Sequence, residues 1–253
     1  MTNRLLRFSV CLLILSAAVF SIAARQERIV RVDLAYRSPA DGPGPNFSAA
    51  GSAARLTDVP AETRLAEGAI RPAKSGTLQI GPDHESWFPI LATADAAHPK
   101  DLCRLYIDRN RNGNFSDDGP VLTATPVERE KTKAVWCSFN NVQLSVAYGA
   151  GVVEPFMVNL WTVREGDAAT SIIRHSACSW RSGKIKVEGI DALVAVMIMS
   201  NDAVFGRKDE WAVLAASEPD AAKRVLSADE ARSGRNRVEG SSHALRKLVF
   251  AVR

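Results

Sequence analysis

Short runs in which apolar and polar residues alternate constrain this chain more than any other feature. In VQLSVAY, Val142, Leu144 and Val146 fall on one face, and the residues between them fall on the other. A period of two residues is that of a β-strand with one buried face. The alternation therefore predicts that strands are the main elements of the fold.

Similar runs follow one another from Thr77 onwards, separated by Gly, Asp, Asn and Ser as in hairpin turns. ALVAVMIM is apolar on both faces, which favours a central strand, although periodicity alone also fits a buried helix. Many short strands with such turns predict an all-β fold of antiparallel, sandwich-like sheets. The other runs are TLQIG, FPILATA, LCRLYID, KAVWCSF, VQLSVAYG, PFMVNLWTV, SIIRHSACSW and KIKVEG.

The first 24 residues have the pattern of a secretory signal peptide. A basic start, MTNRLLR, precedes an apolar run from Phe8 to Ala24 that closes on small residues. Cleavage after Ala23 or Ala24 fits this pattern. The alternative is an uncleaved membrane anchor, for which the run is a little short. We therefore expect an exported protein, periplasmic or secreted, with no stable membrane span after cleavage.

The remaining chain divides into two parts by composition. Residues 25–76 hold a first strand in ERIVRVDLAY, followed from Ser38 by a stretch rich in Pro, Gly and Ala. We interpret that stretch as a loop or linker. Residues 77–253 form the predicted β-rich domain, with a short helical segment from Ser217 to Gly234 and a last strand, LVFAV.

The charge of the chain argues against a nucleic-acid partner. The formal net charge is +4, and loss of Arg4 and Arg7 with the signal peptide leaves +2. No stripe of basic residues with interleaved aromatics is present.

Three cysteines follow the predicted cleavage point: Cys103, Cys137 and Cys178. The absence of CxxC argues against a thioredoxin-like redox site or a zinc knuckle. Cys103 and Cys137 both fall on the apolar phase of their strands. A disulfide between neighbouring strands and burial as free thiols both fit that placement.

The stretch LYIDRNRNGNFSDDG, from Leu105 to Gly119, places oxygen-bearing side chains at regular intervals. Calcium takes six to eight oxygen ligands from such loops. Gly113 stands where the chain must turn sharply, and Phe115 provides an apolar anchor to the core. The predicted metal ligands are Asp108, Asn110, Asn112, Asn114, Ser116, Asp117 and Asp118.

The pattern DxNxNGxF resembles the calcium loops of the EF-hand and dockerin families over about a dozen residues. Gly119 departs from it, because EF-hands carry a bidentate Glu there. Asp117 or Asp118 would have to supply that carboxylate. The flanks are β-like, so we predict a strand–loop–strand site. The alternative is a metal-free hairpin, because Asn112-Gly113 is a type I′ turn signal.

The chain also resembles exported bacterial β domains that precede thioredoxin-like domains. YIDRNRNGNFSDD and the later SNDAVFGRKDEW carry this resemblance. It implies that this chain corresponds to the β portion, since it has no CxxC. SNDAVFGRKDEW, from Ser200 to Trp211, is either a degenerate second loop or, as we favour, a simple acidic turn.

No catalytic motif was found: HExxH, GxSxG, a P-loop and GxGxxG are all missing, and no catalytic residue is predicted. The sequence thus favours a non-enzymatic exported protein with a structural calcium site. Trp136, which alternation turns away from Val135 and Cys137, suggests a carbohydrate-binding module as an alternative, although tryptophans more often pack in cores. An unrecognised hydrolase is the remaining alternative.

Overall fold

The computed structural model describes residues 28–42, 51–82, 84–148, 151–167, 170–187, 190–197, 203, 210–215 and 247–252. The predicted signal peptide and the predicted helical segment from Ser217 to Gly234 lie outside these ranges. Strands dominate, and the helical elements in the ranges above are two 3-10 turns, Pro39–Asp41 and His84–Ser86. The strands are β1 Arg28–Asp33, β2 Ala35–Arg37, β3 Ser52–Asp58, β4 Ile70–Gln79, β5 Trp87–Ala94, β6 Arg104–Ile107, β7 Leu122–Thr123, β8 Val127–Glu128, β9 Val135–Ala147, β10 Val153–Arg164, β11 Ile172–Ala177, β12 Trp180–Val187, β13 Ile190–Met197, β14 Glu210–Ala215 and β15 Lys247–Val252.

The described residues fall into two compact units, one of residues 28–31 with 249–252 and one of the described residues between 32 and 248. β1 and β15 form a two-stranded sheet, so the predicted last strand LVFAV is confirmed. Across the part of the chain that the structure describes, no helix has the length and apolar character needed to cross a bilayer.

The larger unit contains two antiparallel sheets. Nine strands form a curled sheet in the order β7-β6-β5-β4-β3-β11-β10-β9-β8, and four form a second sheet in the order β14-β13-β12-β2. The all-β prediction is therefore confirmed. Residues 192–197 of the run ALVAVMIM belong to β13, which lies between β12 and β14 as expected of a central strand. A buried ion pair between Arg181 of β12 and Glu154 of β10 joins the two sheets.

The main core lies on one face of the nine-stranded sheet. Val142, Leu144 and Val146 are buried while Gln143 and Ser145 are exposed, which confirms the predicted alternation. Burial of such apolar side chains is the principal favourable contribution to folding, at about 25 cal/mol per Å². Further fully buried members are Leu78, Ile80, Phe88, Ile90, Leu105, Leu160 and Ile173.

Two runs that the sequence separates are one strand in the structure. β9 joins KAVWCSF to VQLSVAY, and a bulge replaces the expected turn where the register to β10 shifts between Val158 and Leu160. Asn141 has a φ of +57° there, and its N–H donates to Asn159 Oδ1 over 2.9 Å. The extra residue changes the phase of the alternation, which is why the buried positions pass from odd to even numbers along β9.

The stretch from 38 to 76 differs from the predicted loop or linker. It contains all of β3 and most of β4. β3 reads SAARLTD, in which small residues blur the alternation, and β4 contains both Pro72 and Gly76, which usually mark turns. Both strands are held by pairing with neighbours, β3 with β11 and β4 with β5.

A second apolar cluster covers the opposite face of β4, β5 and β6. Its buried members are Ala73, Leu91 and Tyr106. Residues from two loops pack against them: Val59, Leu65, Ala66 and Ala69 from the β3–β4 connection, and Phe115 and Val121 from the β6–β7 connection. This cluster fixes the position of the predicted metal loop on the sheet.

Candidate functional site

The predicted metal loop connects β6 to β7, so a strand stands on each side of it. The Asp108 N–H donates to Pro89 O of β5 over 2.9 Å, which holds the start of the loop against the sheet. In the middle of the loop, the Phe115 side chain packs on the cluster of Ala73, Leu91 and Tyr106. The loop is therefore attached to the fold at two points.

Asp108 is the buried centre of the loop, with 0% of its surface exposed. Its carboxylate accepts hydrogen bonds from the backbone N–H of Asn112 at 3.1 Å and of Gly113 at 2.8 Å. Gly113 has a φ of +81°, a conformation that glycine adopts without steric cost. The Asn-Gly pair thus turns the chain back so that its backbone donors face Asp108.

The other two carboxylates close the loop from its far end. Asp118 Oδ1 accepts from the N–H groups of Arg109 at 2.7 Å and Asn110 at 3.0 Å, while its Oδ2 is buried without a hydrogen-bond partner. Asp117 Oδ2 accepts from the side-chain amides of Asn112 at 2.8 Å and Asn110 at 3.3 Å. Asp108, Asn110, Asn112, Asp117 and Asp118 therefore form the centre of one hydrogen-bonded network.

Asn114 and Ser116 lie at the edge of this network. Asn114 Oδ1 accepts from the Ser116 hydroxyl at 2.7 Å and from the Ser116 N–H at 3.1 Å. Their link to the other predicted ligands is the Asn114 N–H, which donates to Asn112 Oδ1 over 2.7 Å. Both residues are exposed.

The negative charge of the loop has no cationic side chain against it. Within the ranges the structure describes, no ion pair involves Asp108, Asp117 or Asp118. The two arginines of the loop reach other strands of the same nine-stranded sheet: Arg109 donates to Gln143 O of β9, and the Arg111 guanidinium lies 4.7 Å from the centroid of the Phe88 ring of β5. The hydrogen bonds to these three carboxylates therefore come from neutral backbone and amide donors.

These residues fit a hard cation in donor type. Carboxylate and amide oxygens are the ligands that calcium prefers, and no sulfur or imidazole belongs to the network. The carboxylates are individually held by N–H donors and do not meet at one point, so a bound ion would need some of these hydrogen bonds to rearrange.

A second group of potential metal ligands was missed in the sequence. One ligand atom each of Asp95, His98 and Cys103 lies within 4.8 Å of the others, on the β5–β6 connection. The spacing DxxHxxxxC is visible in the sequence, but it follows no common metal-binding pattern. The signal becomes clear only when the hairpin returns Cys103 to Asp95.

Hydrogen bonds hold this group together. The Asp95 carboxylate accepts from the His98 N–H at 2.8 Å and lies 3.1 Å from His98 Nδ1. Burial opposes ionisation of Asp95, but hydrogen bonds from the His98 backbone, the Cys103 thiol and the His98 ring outweigh it and lower its pKa. Burial, reinforced by the Asp95 carboxylate, raises the pKa of Cys103 to about 11.

All three cysteines in the described ranges are free thiols. Of the two arrangements that fitted Cys103 and Cys137, the structure has buried free thiols. Burial raises the pKa of Cys137 to about 12, and the nearby negative charge of Asp101 adds to this shift. Burial also raises the pKa of Cys178 to about 11. Without a bound metal, these thiols are protonated and poorly nucleophilic at neutral pH.

A groove of about 700 Å³ crosses the outer face of β9, β10 and β11. Trp136 and Trp161 line it, because pairing of Trp136 with Val163 and of Trp161 with Ser138 places both rings on one face. Arg174, Glu165 and Ser171 provide a polar border. Trp136 is half-buried, and the Arg129 guanidinium lies over its ring, 5.2 Å from the centroid.

The fold and the loop define the class: an all-β protein that carries an acidic loop between two strands of a curled antiparallel sheet. No protein-family model, no curated protein and no solved structure matches this chain. Most of SNDAVFGRKDEW, the weaker second loop, lies outside the described residues, which include Ala203, Glu210 and Trp211 of it.

Proposed function

We propose that this chain is an exported, non-enzymatic β-rich protein whose loop from Asp108 to Gly119 binds one structural calcium ion. The observation that carries the proposal is the set of three carboxylates, one of them fully buried, with no cationic side chain paired to them in the described ranges. Buried charge is costly unless it is paired or binds a metal. Asp108, Asp117 and Asp118, with Asn110 and Asn112, would hold the ion.

Calcium would stabilise the fold at this position. Phe115 and Asp108 join the loop to two parts of the sheet, so an ion in the loop would tie β6 and β7 to β5. Binding to the native state alone stabilises it by mass action, by about 2.7 kcal/mol when free calcium is 100 times its Kd. For a domain of this size that corresponds to a rise in Tm of about 5–10 °C.

The test is a calorimetric titration of calcium into protein treated with EGTA, combined with a thermal melt. The protein is purified from expressing bacteria, and mass spectrometry of its N-terminus reports whether residues 1–24 have been removed. We expect about one equivalent of calcium and a higher Tm. Absence of binding at millimolar calcium would overturn the proposal and leave the loop as a polar hairpin.

Asp108→Ala should abolish the calcium-dependent rise in Tm, because it removes the buried carboxylate. Since Asp108 also holds two backbone N–H groups, this variant is also expected to be less stable without calcium. Asp117→Asn, at an exposed site, separates the two effects by weakening calcium binding while leaving the calcium-free Tm unchanged. Asp167→Ala is the control, because Asp167 is exposed and pairs with Lys100 elsewhere. An unchanged rise in Asp108→Ala would remove Asp108 from the site.

The groove with two tryptophans favours a second function, binding of a carbohydrate. Sugar rings present apolar C–H faces to aromatic rings and hydroxyls to polar side chains, and the groove offers both kinds of surface. This function is compatible with a calcium-stabilised loop, because the groove lies on β9, β10 and β11 and the loop follows β6.

A glycan array tests this second function. Trp161→Ala and Trp136→Ala should each lose binding to any glycan on the array that the parent protein binds. Trp87→Ala is the matched control, since Trp87 is half-buried on β5 and packs against His84 outside the groove. No glycan bound by the parent, or equal binding by all three variants, would exclude the groove as a sugar site.

A further inference from the structure

We infer that Asp95, His98 and Cys103 form a second metal site that takes a borderline-soft divalent cation of the zinc type. The three ligand atoms lie within 4.8 Å of one another. A carboxylate, an imidazole and a thiol are a combination that zinc accepts, whereas calcium and magnesium select oxygen donors. This site is distinct from the oxygen-only loop of the proposed calcium function and does not depend on it.

The backbone of the β5–β6 connection brings the ligands together before any ion is bound. Asp95 follows the last residue of β5, and Cys103 precedes the first residue of β6. The turn between them is closed by hydrogen bonds from His98 N–H to Asp95 O at 3.2 Å, from Asp101 N–H to His98 O at 3.2 Å and from Cys103 N–H to Asp101 O at 2.8 Å. Binding of an ion would therefore cost little conformational entropy, because this segment is already ordered.

The surroundings of the turn keep its shape. The Arg164 guanidinium of β10 donates to Asp101 Oδ1 over 2.6 Å, and the Thr162 hydroxyl donates to Leu102 O over 3.0 Å. Asp101 therefore forms its ion pair with Arg164 and not with a member of the triad. Asp95 and His98 are left facing each other and the Cys103 thiol.

The exposure of the three ligands leaves one side of the site open. Cys103 is fully buried, whereas the side chains of Asp95 and His98 are 29% and 39% exposed. A cation would enter from solvent, meet Asp95 and His98 first and displace the thiol proton, which passes to water. The bound thiolate and the carboxylate together balance the two positive charges of the ion. Three protein ligands with one open side leave room for a water as the fourth.

Cobalt(II) is the probe, because it occupies zinc sites and reports thiolate ligation through a near-ultraviolet sulfur-to-metal charge-transfer band. The titration uses the full protein, reduced, freed of metal by chelation and then saturated with calcium. We expect about one equivalent of cobalt, a charge-transfer band, and loss of that band when zinc is added. Absence of the band in the parent protein would overturn the inference.

Variants assign the ligands. Cys103→Ser should abolish the charge-transfer band, and His98→Ala should weaken cobalt binding at least tenfold, since even loss of an outer-shell partner costs about 10–100-fold in metal affinity. Because the His98 side chain is partly exposed, His98→Ala should fold even if substitution of the buried Cys103 disturbs the structure. Cys178→Ser is the matched control and should keep the band. A band that survives in Cys103→Ser but is lost in Cys178→Ser would overturn the assignment.

Asp108→Ala separates this inference from the calcium proposal. That variant should lose its response to calcium and keep the cobalt band unchanged. Failure of calcium binding together with a normal cobalt titration would leave the site at Asp95, His98 and Cys103 standing. Loss of the cobalt band in a folded Asp108→Ala protein would contradict the independence of the two sites.

Discussion

Gly76 shows how a single residue determines whether two strands can pair. It lies opposite Leu56 in the β3–β4 ladder, and a Cβ at this position would be 2.4 Å from Arg55 O and 2.9 Å from Leu56 Cδ2. The closest atom belongs to the backbone, so a side-chain rotation cannot relieve the overlap. The two strands approach at a distance that only glycine permits.

Gly76→Ala should therefore lower the free energy of unfolding by about 1–3 kcal/mol, the usual cost of overpacking. Thr77→Ala is the control, because Thr77 is the next residue on the same strand and is exposed. Chemical denaturation of both variants with unchanged m-values measures the difference. Equal stability of Gly76→Ala and Thr77→Ala would show that β3 moves away from β4 at no cost.

At the scale of elements, the sequence predicted a strand wherever alternation is local and strong. VQLSVAY forms the second half of β9, and its buried face can be read within a few residues. The apolar run that starts at Ala192 lies in β13, where length and continuous apolar character carried the signal instead of alternation. β3 and the first half of β4 were not predicted. Their residues are small or turn-like, and pairing with β11 and β5 holds them in the sheet. Such tertiary stabilisation leaves no local signal in the sequence.

The candidate sites divide in the same way. The ligands of the loop at Asp108 are contiguous, so their spacing could be read directly, and their hydrogen-bonded network in the structure spans the same residues. The groove could be anticipated only in part. Alternation turned Trp136 outward, but Trp161 becomes its neighbour through the β9–β10 register, which a bulge at Asn141 shifts by one residue. A one-residue shift in register decides which side chains share a face.

At the scale of the whole molecule, the buried thiols make stability depend on alkaline pH. Burial, followed by the negative charges of Asp95 and Asp101 respectively, raises the pKa of Cys103 to about 11 and that of Cys137 to about 12, from an ordinary value of 9.0. In the unfolded chain the thiols ionise near their ordinary pKa. The folded state therefore retains protons that the unfolded state has released once the pH exceeds 9.

The sign of the effect follows from this difference in bound protons. The stability contributed by the neutral thiols is complete below pH 9 and is lost as the pH rises towards 11 and 12. Each pKa unit corresponds to 1.36 kcal/mol, so the two thiols together should cost about 2–4 kcal/mol of unfolding free energy between pH 9 and 10.5. Tyr36 and Cys178 contribute in the same direction, because burial also raises their pKa values.

Denaturation in urea at a series of pH values, with chelator present, measures this loss. Cys137→Ala should be less stable than the parent at neutral pH and should show a shallower decline above pH 9, because one of the two thiols no longer titrates. Ile173→Val is the matched control: Ile173 is fully buried, so its variant also loses stability, but its decline with pH should parallel that of the parent. Parallel curves for Cys137→Ala and the parent would show that the Cys137 thiol ionises alike in both states. The alkaline loss would then have to come from Tyr36 and the other thiols.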